Sequence, residues 1–315
     1  MAGSTPNPRI LITGASGAYG QLLFKRLLEK GIDPSTIILV SRNPNKLSET
    51  SPPIPAQVTL RKGSFDDPLS DLTATFTTAD IIFLISTSRA GARLPQHQNA
   101  ITAAVRSGAQ HIFYTGFIGA DLPHPSALVV REHRATEEML RLSGISAYTV
   151  LRDTQYSDAF ADVILPAARN SGSLKTNCGK GKIAPVAKED CVEVAAVAVM
   201  NADLHRNRVY DVTGPELLSY GEVAEMAAKL SGQDLPCEFV SDEEMFEDFD
   251  RLGIPREPGD EFEREGVKGY KWNSSDMVSF GTAIRLGEMA VISDDVEKII
   301  GRKPVGLMEV LKSRG

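Results

Sequence analysis

The feature that most constrains this 315-residue chain is Gly14-Ala15-Ser16-Gly17-Ala18-Tyr19-Gly20, a GxxGxxG run. It lies directly after the apolar stretch Ile10-Leu11-Ile12. It lies directly before a segment with Leu23, Phe24, Leu27 and Leu28 at helical spacing and Gly31 as a stop. A strand that turns at once into a helix needs glycine at three places: at the tight turn, where a ligand's phosphates approach the backbone, and where helix packs on strand. The first turn of that helix also offers unpaired N–H groups and a positive dipole end to an anion. At the first strand–helix junction this pattern reads as a dinucleotide loop, with Gly14, Ser16, Gly17, Ala18, Tyr19 and Gly20 on the phosphate side.

Apolar and helical patterns continue to alternate. Ile37–Val40, Val58–Arg61, Ile81–Ile85, Ile112–Tyr114 and Tyr148–Leu151 read as strands, while Pro95–Ser107 and Glu132–Leu142 read as helices ending at Gly108 and Gly144. Strands apolar on both faces and separated by helices imply an α/β fold, a doubly wound parallel Rossmann sheet. Residues 1–152 form the expected dinucleotide-binding domain. Residues 153–315 form a smaller, partly interleaved substrate-binding portion, with segments around 183–214 returning to the sheet. Residues 153–182 read as loop-like, and Met277–Ile292 has no clean periodicity. Capping boxes at Ser219–Glu222 and Ser241–Glu244 open two helices. The acidic stretch Asp242–Glu265 reads as a solvated helix face and loop.

The formal charge of −7 argues against a nucleic-acid or anionic-membrane partner. No apolar run approaches the ~20 residues that span a bilayer. Cys178, Cys191 and Cys237 lack metal-ligand spacing, so no metal is expected. A polar beginning without an apolar signal core and the sparse cysteines suit a cytoplasmic protein with a small-molecule substrate. The oligomeric state is not legible.

The second strand ends Val40-Ser41-Arg42-Asn43-Pro44, with Lys46 close behind. NAD sites place a carboxylate here for the ribose 2′-hydroxyl. A guanidinium instead suits a 2′-phosphate, which a carboxylate would repel. Ser41, Arg42 and Lys46 therefore point to NADP(H).

Beyond these motifs stand Leu84-Ile85-Ser86-Thr87-Ser88, Pro95-Gln96-His97-Gln98-Asn99, Tyr114-Thr115, Glu132 to Glu137, Gly179 to Ala184 and Val209 to Gly214. Together they resemble the NmrA-like atypical short-chain dehydrogenases/reductases, and within them the NmrA-type NADPH:quinone oxidoreductases. The likeness thins after Gly253, with a stretch around 260–290 reading as an insertion before the family-like Val296–Leu311. The resemblance implies that Ser86, Thr87 and Ser88 border the cofactor and that Thr115 and Gly116 lie near the nicotinamide. Phe65, after the third strand, either flanks the adenine or packs in the core.

Ordinary short-chain dehydrogenases carry a Tyr-x-x-x-Lys pair whose tyrosine donates a proton as hydride arrives. Counting back from Ser143-Gly144-Ile145 puts His133 at the lysine position and Val129 at the tyrosine position. Gly116 stands where the usual serine falls. His133 then either binds the nicotinamide ribose or relays a proton, or it is a satisfied helix histidine. Arg131 either orients a substrate oxygen or is surface charge. Asp153 stands where the quinone reductases carry Asn. It reads as a crevice-facing carboxylate that stabilises a cation or acts as a base, or else as a cap or ion-pair partner. Tyr156 lines the pocket or packs.

These residues imply an NADP(H)-dependent oxidoreductase transferring hydride to a small or medium organic electrophile, a quinone or an iminium ion. An alkaloid intermediate of specialised metabolism with coupled rearrangement falls within that class. The alternative is a non-catalytic NADP(H)-binding redox-sensing regulator.

Overall fold

The computed structural model describes residues 7–48, 53–88, 91–170, 172–257 and 273–315. Its centre is a seven-stranded sheet. The strands are β1 (Ile10–Ile12), β2 (Ile37–Ser41), β3 (Thr59–Lys62), β4 (Ile81–Leu84), β5 (His111–Phe117), β6 (Ala147–Asp153) and, much later in the chain, β9 (Arg208–Val212). Their order is β3-β2-β1-β4-β5-β6-β9, and every pairing is parallel. The order reverses between β1 and β4, which opens a crevice at the C-terminal ends of these strands.

Side chains alternate across the strands and give each face its own core. Ile12, Leu39, Phe83, Phe113 and Leu151 pack under α1 (Ala18–Glu29), α7 (Lys188–Met200) and α11 (Asp295–Ile300). Leu11, Val40, Leu84, Tyr114 and Val150 face α3 (Leu69–Phe76), α4 (Arg93–Arg106) and α5 (Leu128–Leu142). A four-residue helix, α2 (Asn45–Ser48), follows β2.

A third core joins Ile118, Ala127 and Val130 to helices of the later chain: α6 (Ser157–Arg169), α8 (Tyr220–Ser231), α10 (Ser274–Arg285) and α12 (Leu307–Arg314). Two small sheets sit beside it. One pairs β7 (Leu174–Thr176) with β11 (Cys237–Phe239), the other β8 (Lys182–Ile183) with β10 (Leu218–Ser219). The acidic α9 (Asp242–Arg251) completes the described helices, and both capping boxes are formed. The later half is therefore threaded through the earlier one, since α7, β9 and α11 build onto the main sheet.

Two readings are corrected here. The loop-like 153–182 contains α6, whose buried Phe160, Ala161, Ile164, Leu165 and Ala168 recur at helical spacing around an interior Pro166. Met277–Ile292 begins inside α10, whose apolar stripe is narrow because the helix is pinned by polar contacts. Ser279 Oγ and Asp276 Oδ1 accept the Leu128 and Val129 N–H groups and so cap α5, whose own N-cap Ala127 cannot. The part of the insertion between residues 258 and 272 lies outside the described residues.

Candidate functional site

The crevice begins at Thr13, which ties its two edges. Its hydroxyl donates to Phe83 O (3.2 Å) and accepts from Ile85 N (3.0 Å). Gly14 follows at φ +59, the left-handed turn that glycine tolerates. Gly17 is the N-cap of α1 and supplies no side-chain cap, so the first N–H groups of the helix keep donors for a ligand. A Cβ on Gly20 would stand 2.6 Å from Gly14 O, whereas one on Gly17 would stand 3.2 Å from it. Gly20 thus serves helix–strand packing and Gly17 leaves an open approach.

Ser16 Oγ lies 2.8 Å from Ser41 Oγ, joining the glycine loop to the end of β2. Ser41 Oγ also accepts the Asn43 N–H at 3.1 Å, shaping the turn that carries exposed Arg42; Lys46 lies exposed on α2. Ala18 is exposed at the helix start and Tyr19 is buried, its hydroxyl donating to Cys191 O (3.2 Å). Uncapped helical amides, a glycine approach and a basic turn without a carboxylate fit a phosphorylated dinucleotide.

Sequence reasoning quoted Gln96, His97 and Asn99 only as part of a likeness. In the structure they anchor the loops that border the crevice. Gln96 Nε2 donates to both Asp66 carboxylate oxygens (2.9 and 3.0 Å), and Asn99 Nδ2 to Phe65 O and Asp67 O (2.8 and 2.9 Å). Phe65 is half-buried, edge-on to His97 at 6.4 Å between ring centres. The Thr87 N–H donates to His97 Nε2 at 3.2 Å, and Arg93 Nε donates to Thr87 O at 2.9 Å. Buried Arg93 pairs with Glu132 of α5, which also accepts the Gly91 N–H. Ser86 is held by Thr115, whose hydroxyl accepts the Ser86 N–H at 2.8 Å; Ser88 is exposed.

Gly116 ends this row for a steric reason. A Cβ there would meet Val150 Cγ1 at 2.8 Å and Arg152 Cγ and Glu137 Oε1 at 3.4 Å. The forked Arg152–Glu137 pair (2.9 and 2.8 Å) fills the space above it.

His133 is buried on the inner face of α5, with Nδ1 2.7 Å from Tyr114 Oη and its ring beside Phe117. Burial, with the positive charge of Arg93 and then His97 adding to it, holds its pKa well below the usual histidine range. Two other candidates sit elsewhere than the sequence placed them. Arg131 is on the exposed side of α5, its Nε donating to Pro125 O at 2.7 Å. There it lines a groove of about 720 Å³ with Arg134, Arg141 and Arg152; apart from Val150 and the Arg152–Glu137 pair packed around Gly116, none of the crevice residues above borders that groove. Asp153 does end β6, but the residue is only 2 % exposed and lies on the α1/α7 side, beside Tyr19 and Cys191. Its Oδ2 accepts from Tyr156 Oη at 2.8 Å, and Oδ1 is buried without a partner. Burial pushes this carboxyl up to about 7, against the opposing pull of Tyr156 and Cys191. The structure thus turns Arg131 away from the crevice residues and buries Asp153 with Tyr156 beside Tyr19 of the glycine loop. Among the described residues no cluster suited to a metal occurs, and no helix is long and apolar enough to cross a membrane.

A family described as NAD(P)H-binding matches residues 14–187. Quinone oxidoreductase 2 of Escherichia coli (strain K12) is 33% identical over 247 residues, covering 78% of this chain and 82% of its own length. The crystal structure of an NADPH-dependent quinone oxidoreductase from Escherichia coli complexed with NADPH matches with a TM-score of 0.83 at 28% identity, over 96% of this chain and 99% of that one. Triphenylmethane reductase from Citrobacter sp., complexed with NADP(H), gives 0.81 at 28% identity, over 97% and 99% of the two chains.

Proposed function

The chain belongs to the NAD(P)H-binding family as an NmrA-like atypical short-chain dehydrogenase/reductase, and from that premise we propose that it is an NADPH-dependent reductase of quinone-type acceptors. In this reading the Gly14–Gly20 loop and the first amides of α1 hold the pyrophosphate, and Arg42 with Lys46 holds the 2′-phosphate. Ser86, Thr87, Ser88, Thr115 and Gly116 form the wall along which the rest of the dinucleotide lies. When bound, NADPH supplies one hydride.

The observation that carries the substrate class is the group standing where a proton donor is expected. His133 is neutral and held by Tyr114, and Val129 occupies the tyrosine position. Acceptors that need no protein acid suit such a site. A quinone taking up hydride becomes a hydroquinone anion that is protonated by water, so NADPH, one proton and quinone give NADP⁺ and hydroquinone. Iminium ions share this independence of an acid. The buried Asp153 carboxyl offers them no exposed counter-charge, which favours the neutral acceptor.

The test compares kcat/KM for a naphthoquinone, a cyclic iminium ion and a simple ketone with NADPH in excess. The quinone is expected to lead and the ketone to be unreactive. Preferred reduction of the ketone would overturn the assignment of substrate class.

A further inference from the structure

Three buried rings lie behind the loop that follows β4: His97 on α4, Tyr114 on β5 and His133 on α5. Their hydrogen bonds admit one consistent placement of protons. The Thr87 N–H donates to His97 Nε2 (3.2 Å), so that nitrogen is an acceptor and the ring proton is on Nδ1. Nδ1–H is donated to Thr136 Oγ1 (2.9 Å), and the Thr136 hydroxyl donates onward to Glu132 O (2.9 Å).

Tyr114 Oη lies 3.5 Å from the same His97 nitrogen and 2.7 Å from His133 Nδ1. His97 Nδ1 already bears a hydrogen and is no acceptor. Thr136 Oγ1, also near the phenol, forms no hydrogen bond with it among the described residues, its two contacts being with His97 Nδ1 and Glu132 O. The short contact therefore takes the Tyr114 proton, because a fully buried O–H without an acceptor is costly. His133 then accepts at Nδ1, and its own proton sits on Nε2. Nε2 has no partner among the described residues and is not among the polar atoms sealed from solvent without one. Phe117 lies beside the His133 ring, backed edge-on by Phe280 of α10.

We propose that Tyr114 and His97 are positioning residues that hold His133 as its neutral Nε2–H tautomer, presenting one fixed hydrogen-bond donor to an acceptor oxygen in the crevice. The identity of that oxygen rests on the reductase reading; the tautomer does not. Such a donor orients an oxygen without surrendering a proton, which matches a site that lacks the Tyr–Lys pair. Through His97 the arrangement is tied to the backbone of Thr87, so the loop bordering the crevice and the ring share one register.

The test is long-range ¹H–¹⁵N correlation of the histidine rings in the full-length ¹⁵N-labelled protein, which holds five histidines. His133→Gln and His97→Gln assign the signals. His133 is expected to show a pyrrole-type Nε2 and a pyridine-type Nδ1, with His97 the reverse. A protonated Nδ1 on His133, or an imidazolium at neutral pH, overturns the proposal. In Tyr114→Phe the His133 Nδ1 resonance should move to the position of a nitrogen without a hydrogen bond; an unmoved resonance would contradict the link. Movement of the Nε2–H signal on adding NADP⁺ assigns the oxygen to the cofactor. Movement only when a quinone is also present assigns it to the substrate, and no movement with either overturns the role as a donor. Each arm is read without turnover, so failure of the reductase reading remains distinguishable.

Discussion

Asp153 and Tyr156 form a buried carboxyl–phenol pair, with Tyr156 Oη donating to Oδ2 at 2.8 Å while Oδ1 is left without a partner. A buried carboxyl with one oxygen unsolvated resists ionisation, which accounts for its rise to about 7. The consequence is a stability that depends on pH. An unfolded Asp titrates near a pKa of about 3.9. Between that value and 7 the folded chain therefore holds the proton that the unfolded chain has lost. Stability from this group is complete below about pH 4 and declines as pH rises through 7. Asp153→Asn keeps an acceptor for Tyr156 and has no proton to lose. Its melting temperature should fall less steeply from pH 5 to 8 and exceed that of the parent at pH 8 by a few degrees. A parallel profile for the two proteins would show that Asp153 does not titrate in this range.

The proposed function assigns cofactor preference to the turn after β2. Arg42→Ala should weaken NADPH binding by about 1.5–3 kcal/mol, the range for hydrogen bonds to charged groups, and leave NADH nearly unchanged. Calorimetric titration of both cofactors checks this, and equal losses for the two would place Arg42 away from the 2′-phosphate.

The second and third glycines of the loop should fail in different ways. Gly20→Ala sets a methyl 2.6 Å from Gly14 O and 2.8 Å from Ala15 Cα, both backbone atoms, so it should lower the melting temperature. Gly17→Val meets only Gly14 O, at 3.2 Å, in an extended conformation open to any residue. It should fold and lose NADPH binding, because the branched side chain fills the approach to the pyrophosphate. Thermal melts and cofactor titration separate the cases, and undiminished binding by the Gly17 variant would contradict the assignment.

Gly116→Ser restores the side chain that ordinary short-chain dehydrogenases carry, yet it should not restore carbonyl reduction. The added Cβ would press on Val150 at 2.8 Å, and overpacking of this kind costs about 1–3 kcal/mol. A lower urea midpoint without new ketone reductase activity is expected; an unchanged midpoint would show that the Val150 side chain yields easily.

The sheet was legible because its central strands β1, β2 and β4 are short and almost wholly apolar, and Ile10–Ile12 followed by Gly14 admits few alternatives. The helix α6 escaped because Pro166 and the polar Ser157 and Asp158 mask five apolar positions whose spacing is helical. Strand-end positions were read correctly, but side-chain direction was not. Asp153 shares the α1/α7 side with Leu151, two residues earlier, and alternation from the buried Leu151 would have turned it away from α5. Arg131, two residues before His133, likewise lies on the far side of α5 from it, since positions two apart on a helix do not share a face. The anchoring by Gln96, His97 and Asn99 was hidden because their partners lie outside α4, in the loops after β3 and after β4.

The proposed function stands or falls with turnover at this NADP(H) site. Anaerobic mixing of the purified protein with NADPH and excess naphthoquinone, following NADPH absorbance and hydroquinone together, measures it. Catalytic loss of NADPH is expected, many equivalents per protein, matched one to one by hydroquinone. Tight NADPH binding with unchanged absorbance, for the quinone and for every other electrophile offered, would contradict it and identify a redox-sensing regulator instead.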